Sequence, residues 1–289
     1  MNPLPTVVGL GEMLWDLLPS GRQLGGAPAN FAYWSHVLGS RAAVASRVAD
    51  DELGAEARRL LLSRGITDQF VQSDPAHPTG TARVQLDSAG QPQFEIVDQV
   101  AWDFLEWSDP WKALAQSADA VCFGSLAQRS AESRETTHRF LDHTRGDAFR
   151  IFDVNLRRPF YSAEIIAQSA QRANIVKLNH EELPMLAALL GIEAEGSFSF
   201  CSRMVERFAL RLICVTRGAN GSLLSDGTHT HEHPGFRVAV QDTVGSGDAF
   251  TAALIHSSLA GCSLARCGSL SMRRAAKQSR ARQLIFDEA

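Results

Sequence analysis

Short apolar runs alternate with longer stretches of helical spacing along most of the chain. The runs at residues 7–10, 42–48, 120–123, 151–153, 175–178 and 212–216 are nearly continuous in apolar residues, as strands covered on both faces are. Between them, apolar residues at i, i+3 and i+4 predict helices over residues 28–38, 52–64, 130–145, 162–171 and 181–190. Strand and helix in alternation predict a three-layer α/β/α fold with a mostly parallel sheet and right-handed crossovers. In that architecture ligands bind beyond the carboxyl ends of the strands.

Two regions break the alternation. Residues 13–18, and 81–86 followed by 93–97 across the turn Asp87-Ser88-Ala89-Gly90, read as extended pieces with no helix between them. They predict a small extra β-sheet. Such a sheet is suited to act as a lid that closes over a ligand and excludes water, and the same pattern equally describes a hairpin without that duty.

Chemistry concentrates at glycine turns and strand ends. Residues 242–250 read Asp-Thr-Val-Gly-Ser-Gly-Asp-Ala-Phe, and small and apolar residues at helical spacing continue to Leu259. A glycine turn that opens a helix points backbone N–H groups forward, and the helix dipole adds positive charge, so an anion is welcome there. Asp248 stands at the same place. A carboxylate beside a phosphate cradle makes sense if a group between them loses a proton, which suggests phosphoryl transfer to a hydroxyl. An ordinary tight loop with an acid in the first helical turn is the plainer alternative.

Gly25-Gly26-Ala27-Pro28-Ala29-Asn30 precedes another helix. The glycines permit close backbone approach, and Asn30 offers both a donor and an acceptor, properties suited to sugar hydroxyls, although a simple glycine-proline loop is the plainer reading of this stretch alone. Lys177-Leu178-Asn179-His180-Glu181-Glu182 and Asp153-Val154-Asn155-Leu156-Arg157-Arg158 lie at two further strand ends. Asn179 and Glu182 have the spacing to face a hydrated Mg²⁺, although an N-cap at Asn179 with first-turn acids explains them locally. Arg157 is placed to neutralise phosphoryl charge, and Arg157 and Arg158 equally read as a solvated surface pair.

Composition narrows the classes. At 289 residues, 45% apolar and 21% charged, with a net charge of −4, the chain can bury a large core and has no general attraction to nucleic acid or acidic membranes. Five cysteines without a CxxC pair argue against a disulfide framework. Glu12 and Asp16 interrupt the first apolar stretch, so a signal peptide or membrane span is not expected and a cytoplasmic location is. No Gly-Lys dipeptide, His-Arg-Asp or Asp-Phe-Gly triplet occurs, which excludes a Walker A loop and a protein kinase. Alternating His229, His231 and His233 read as an exposed strand rather than a metal site.

Taken together, these motifs carry a resemblance. Residues 242–250 resemble the C-terminal signature of the ribokinase-like (PfkB) carbohydrate kinases, and residues 25–30 resemble their N-terminal signature. Asn179 to Glu182 is similar to the family's Asn-x-x-Glu motif, and Thr216-Arg217-Gly218-Ala219-Asn220-Gly221 to its nucleotide-side strand and turn. The resemblance covers roughly residues 6 to 260. Gly11-Glu12-Met13-Leu14-Trp15-Asp16, Val100-Ala101-Trp102-Asp103 and Asp153-Val154-Asn155-Leu156-Arg157 are similar to the bacterial fructokinase branch. The resemblance implies an ATP-dependent sugar kinase, most similar to fructokinases; relatives act on ribose, 2-keto-3-deoxygluconate or aminoimidazole riboside. It implies Asp248 as general base and the N–H groups of Gly245, Ser246 and Gly247 as an anion hole. Asp16, Gly26 and Asn30 would bind the sugar, Asn179, Thr216 and Gly218 would lie on the nucleotide side, and Glu182 would hold Mg²⁺ through water. Arg157 would contact phosphate or substrate. The exposed edge of the small sheet suggests a homodimer.

Two departures stand out. Ala49 occupies a position where the family has glycine, which would strain a positive φ. After Leu259 the chain runs into the basic stretch 272–282, and the family's adenine and K⁺ site residues do not map onto it. That stretch reads as a solvated basic helix, as a surface for nucleic acid or an acidic partner, or as a replaced terminus. The last reading brings a weakly active or inactive sugar-binding protein into consideration.

Overall fold

Neighbouring residues of the central strands are buried on opposite faces, so two apolar cores form on one sheet. Val8, Val176 and Ile213 join one core, whereas Val7, Ile175 and Leu212 join the other. This is the physical origin of the continuous apolar runs. A computed structural model describes residues 3–18, 21–86, 92–239 and 244–279.

In chain order the elements are β1 (Thr6–Leu10), β2 (Leu14–Leu18), β3 (Gly21–Gly25), α1 (Ala27–Val37), β4 (Arg41–Ala49), α2 (Glu52–Ser63) and β5 (Val71–Asp74). There follow β6 (Gly80–Leu86), β7 (Pro92–Ile96), α3 (Asp109–Ser117), β8 (Ala120–Phe123), α4 (Ala131–Asp142), β9 (Phe149–Asp153), α5 (Ala163–Arg172) and β10 (Ile175–Asn179). The chain continues through α6 (Glu182–Leu190), α7 (Ser197–Phe208), β11 (Leu212–Thr216), β12 (Ser222–Ser225), β13 (Thr230–His233), α8 (Ser246–Leu259) and α9 (Leu264–Ser279).

Nine strands form the main sheet in the order β13-β12-β11-β10-β9-β8-β1-β4-β5. It is parallel from β5 to β11, and the pairs β11–β12 and β12–β13 are antiparallel, so that β12 runs against the other strands. Trp111, Phe140, Ile166, Leu186 and Phe200, from α3 to α7, fill one core. Phe31, Ala57, Leu61, Phe250, Leu254 and Met272, from α1, α2, α8 and α9, fill the other. The chain leaves β1 toward β4 and β5, then returns to the other side of β1 at β8. This switch point opens a crevice at the carboxyl ends of β1 and β8.

The extended pieces form a second sheet in the order β3-β2-β6-β7. It is mixed: β2 runs antiparallel to β3 and parallel to β6, while β6 and β7 are antiparallel. The turn expected at residues 87–90 lies outside the described residues. Beyond this sheet, Arg129 anchors the return to the body. It donates to both Asp103 oxygens at 2.7 Å and to the Val97 carbonyl at 2.6 Å, and its guanidinium lies over the Trp102 ring at 4.0 Å.

Ala49 does not need a positive φ: it ends β4 and is absent from the left-handed residues, so the anticipated strain does not arise. Residues 272–279 of the basic stretch form the end of α9, which is amphipathic rather than wholly solvated. Ser271, Met272 and Gln278 are buried, Arg274 lies over the Trp34 ring at 4.4 Å, and Gln278 Nε2 donates to the Val244 carbonyl at 3.2 Å. Residues 280–289 lie outside the described residues.

Candidate active site

The carboxyl ends of β1, β9 and β10 and the first turns of α1 and α8 come together at the carboxyl edge of the main sheet. Three close approaches bring α1 against the loop after β1. A Cβ on Gly9 would lie 2.0 Å from the Pro28 carbonyl oxygen, one on Gly11 3.2 Å from Pro28 Cγ, and one on Gly26 2.5 Å from the Glu12 carbonyl oxygen. Gly26 also has φ +107, a conformation that side chains resist. Glycine at these positions therefore sets where α1 begins, and with it where Asn30 points.

Asn30 is 8% exposed and its Nδ2 donates to Asp248 Oδ2 at 2.8 Å. This contact joins the two glycine motifs across 218 residues of sequence. Gly245, which has no side chain, is the N-cap of α8 in the left-handed conformation, φ 69. Asp242 and Thr243, the start of the motif, lie outside the described residues. Asp248 is half-buried. Burial, then the neighbouring Asp153 charge, push its pKa up to about 6, against the Asn30 hydrogen bond and the Lys177 and Arg157 charges.

Asp16, on β2, leans over the Gly25 backbone, where a Cβ would come within 2.6 Å of Oδ2. Burial raises its pKa to about 6, and the Arg157 charge opposes the rise. The exposed Arg157 thus lies in electrostatic reach of both Asp16 and Asp248. Glu182 is buried, and its two oxygens accept the N–H groups of Leu156 and Asn179 at 2.8 and 2.9 Å. Asn179 Oδ1 in turn accepts the N–H groups of Glu181 and Glu182. The pair is a reciprocal cap on α6. Burial raises the Glu182 pKa against the Asn179 N–H and the Lys177 charge. Its occupied oxygens leave room for water-mediated contact with a cation but not for a full ligand set, and among the described residues no cluster of three His, Cys, Asp or Glu side chains is arranged to hold a metal. Thr216 and Gly218 lie at the end of β11 and in the turn that follows, along the same carboxyl edge of the sheet.

Three buried charged residues at the site were not assigned from the sequence. Glu12, in the loop after β1, is 3% exposed. Its carboxylate accepts its own N–H and that of Ala27, while Oε2 has no partner among the described residues. Burial raises its pKa to about 7, opposed by those N–H groups and by Arg157. Lys177 and Asp153 form a buried ion pair between β10 and β9. The available signal was a charge inside an apolar strand, since Ile175-Val176-Lys177-Leu178 is otherwise hydrophobic.

The profile of the pfkB family of carbohydrate kinases matches residues 21–285. The chain belongs to that family. The match runs through α9, beyond the point where the motif resemblance ends. Fructokinase of Escherichia coli is 31% identical over 258 residues, covering 85% of this chain and 82% of that protein. A sugar kinase of Pyrococcus horikoshii, solved in complex with ATP, is 28% identical with a TM-score of 0.82, covering 98% of this chain and 94% of that one. Fructokinase of Vibrio cholerae, at 24% identity and a TM-score of 0.83 over 98% and 95% of the two chains, shares the fold. The architecture is therefore the ribokinase-like α/β fold, and the chain is a PfkB sugar kinase. No helix among the described residues is long and apolar enough to cross a membrane.

Proposed function

We propose that the protein transfers the γ-phosphoryl group of ATP to a hydroxyl of D-fructose. The observation that carries this reading is the Asn30–Asp248 hydrogen bond, which brings the sugar-side and phosphate-side glycine motifs to one point. The E. coli fructokinase, at 31% identity, supports fructose as the acceptor, and the ATP complex of the Pyrococcus kinase supports ATP as the donor.

Asp248 accepts the proton of the acceptor hydroxyl, whose oxygen attacks the γ-phosphorus as the bond to the β-phosphate oxygen breaks and ADP leaves. First-turn N–H groups of Gly245, Ser246 and Gly247 receive the charge that develops on the transferring group. Gly26, Asn30 and Asp16 orient the sugar, and Arg157 balances charge at the mouth. Thr216, Gly218 and Asn179 line the nucleotide side. Mg²⁺, when bound, would offset phosphate charge, and Glu182 would orient water around it. Most of the acceleration comes from positioning, because phosphoryl transfer asks little covalent chemistry of the protein. The alternative of a binding protein without turnover rested on the tail, and the family match across α9 favours a working kinase.

The test is ADP release from MgATP across fructose, ribose, 2-keto-3-deoxygluconate and aminoimidazole riboside, with and without K⁺. Fructose is expected to give the highest kcat/KM. A higher value for another sugar would reassign the substrate, and sugar binding with no turnover would remove the kinase reading.

A further inference from the structure

Two charges that this reaction does not use lie beneath the glycine turn of α8. Lys177 and Asp153 occupy paired positions on β10 and β9, and they are 8% and 4% exposed. Lys177 Nζ donates to both Asp153 oxygens at 3.0 and 3.1 Å, and Thr251 Oγ1, from α8, donates to Asp153 Oδ2 at 2.9 Å. A Cβ on Gly247 would come 3.1 Å from Lys177 Nζ, so the ammonium lies against the first turn of α8. A buried ion pair of this kind gains little stability over well-packed apolar side chains. Its location therefore asks for another reason.

The surroundings of Asp248 supply one. Asn30 faces it from α1, Glu12 from the loop after β1, Asp153 from β9, Arg157 from the loop after β9, and Lys177 from β10. Cys122, on β8, lies in the same field, and burial keeps its thiol protonated. Asp153 would by itself oppose a second buried carboxylate, as carboxylates sharing a site do. Burial works against the charge of Lys177, but Asp153 outweighs it and holds the ammonium above its usual range. The cation is thus permanent.

We propose that Lys177 is a positioning residue for catalysis: its ammonium offsets the Asp153 charge at Asp248, holds that base as a carboxylate, and places positive charge under the turn that receives the phosphoryl group. This inference rests on the reading of Asp248 as the base. Asp153 ties the cation to α8 through Thr251, so the ion pair and the helix start move as one unit.

The test compares the acid limb of kcat/KM against pH in Lys177→Met, Asp153→Asn and the double variant, each checked for folding by thermal melting. Lys177→Met is expected to raise the limb by about one pH unit and Asp153→Asn to lower it by a similar amount, since nearby charges shift a carboxylate by about 1–3 units. The double variant returns it toward the wild-type position. If Lys177→Met does not fold, the downward shift in Asp153→Asn decides. Unmoved limbs, or shifts of the same sign, overturn the inference, because a merely structural ion pair changes stability without changing the limb. Asp248→Asn separates the two readings. If it is inactive while the limbs stay fixed, only this inference fails; if it keeps wild-type turnover, the assignment of the base fails and the inference with it.

Discussion

At Asp248, burial and the neighbouring Asp153 charge compete with Asn30, Lys177 and Arg157, and the outcome is a pKa of about 6. A base at that value is ionised at neutral pH and still basic enough to take a proton in the transition state. Activity should accordingly fall as pH drops through about 6, read as the acid limb of kcat/KM. Replacing Asp248 by Asn removes the proton acceptor and should lower kcat by about 10²- to 10⁴-fold, with binding of an ATP analogue retained. Glu12 makes the opposite kind of contribution, to stability. Its pKa is 4.5 as an ordinary side chain and about 7 when folded, so between those values the folded state holds the proton more tightly. Its contribution is favourable below about 4.5 and is lost as pH rises toward about 7. At about 1.4 kcal/mol per pH unit, that interval is worth roughly 3 kcal/mol. Glu12→Gln keeps an acceptor for the two N–H groups and supplies a donor in place of the acid proton. Its melting temperature should exceed that of the wild type at pH 8, with the difference shrinking toward pH 5.

Among the elements, those covered on both faces were legible in the sequence and those that depend on distant partners were not. The strands β1, β4, β8, β9, β10 and β11 follow the apolar runs because no face of them meets water. β5, with the sequence Val-Gln-Ser-Asp, has no such run. Its Asp74 is buried against Arg47 of β4 at 2.9 Å, a pairing that only the fold supplies. Similarly, the basic residues of α9 suggested a solvated helix, whereas its buried face depends on α8 and Trp34. The glycine motifs announced their turns, but the Asn30–Asp248 contact and the charges beneath α8 required β1, β9 and β10 to be neighbours. Gly26 tests how far the site depends on the start of α1. Gly26→Ala must adopt φ +107 with its Cβ 2.5 Å from the Glu12 carbonyl oxygen. Backbone strain alone should cost about 1–3 kcal/mol, and displacement of Asn30 should raise the KM for sugar in steady-state kinetics. Arg129 tests the anchor beyond the small sheet. Arg129→Met leaves Asp103, whose side chain is 2% exposed, without its cation, and chemical denaturation should show a loss of about 3–5 kcal/mol.

For the whole molecule, the two sheets divide the work. The main sheet fixes Asp153, Lys177 and Asn179 on parallel strands, while the small sheet contributes Asp16 and ends at Gly25, directly before the turn that leads to Asn30. Sugar bound by both Asp16 and Asn30 would therefore couple the small sheet to the body, and we propose that this closes it as a lid over the crevice. Closure would exclude water and favour transfer to sugar over ATP hydrolysis. The observable is backbone hydrogen exchange in β2, β3, β6 and β7 with fructose, with an ATP analogue, and with both. Protection should increase on fructose binding and spread no further along β8 to β11 than in the free protein, because those strands are already buried. Asp16→Asn should weaken that protection and raise the KM for fructose, while the nucleotide response stays at its wild-type level. Exchange in the small sheet that is indifferent to sugar would remove the lid. Sedimentation velocity separates this motion from the proposed pairing of two copies through the exposed sheet edge: a lid closes at any protein concentration, whereas edge-to-edge association grows with it.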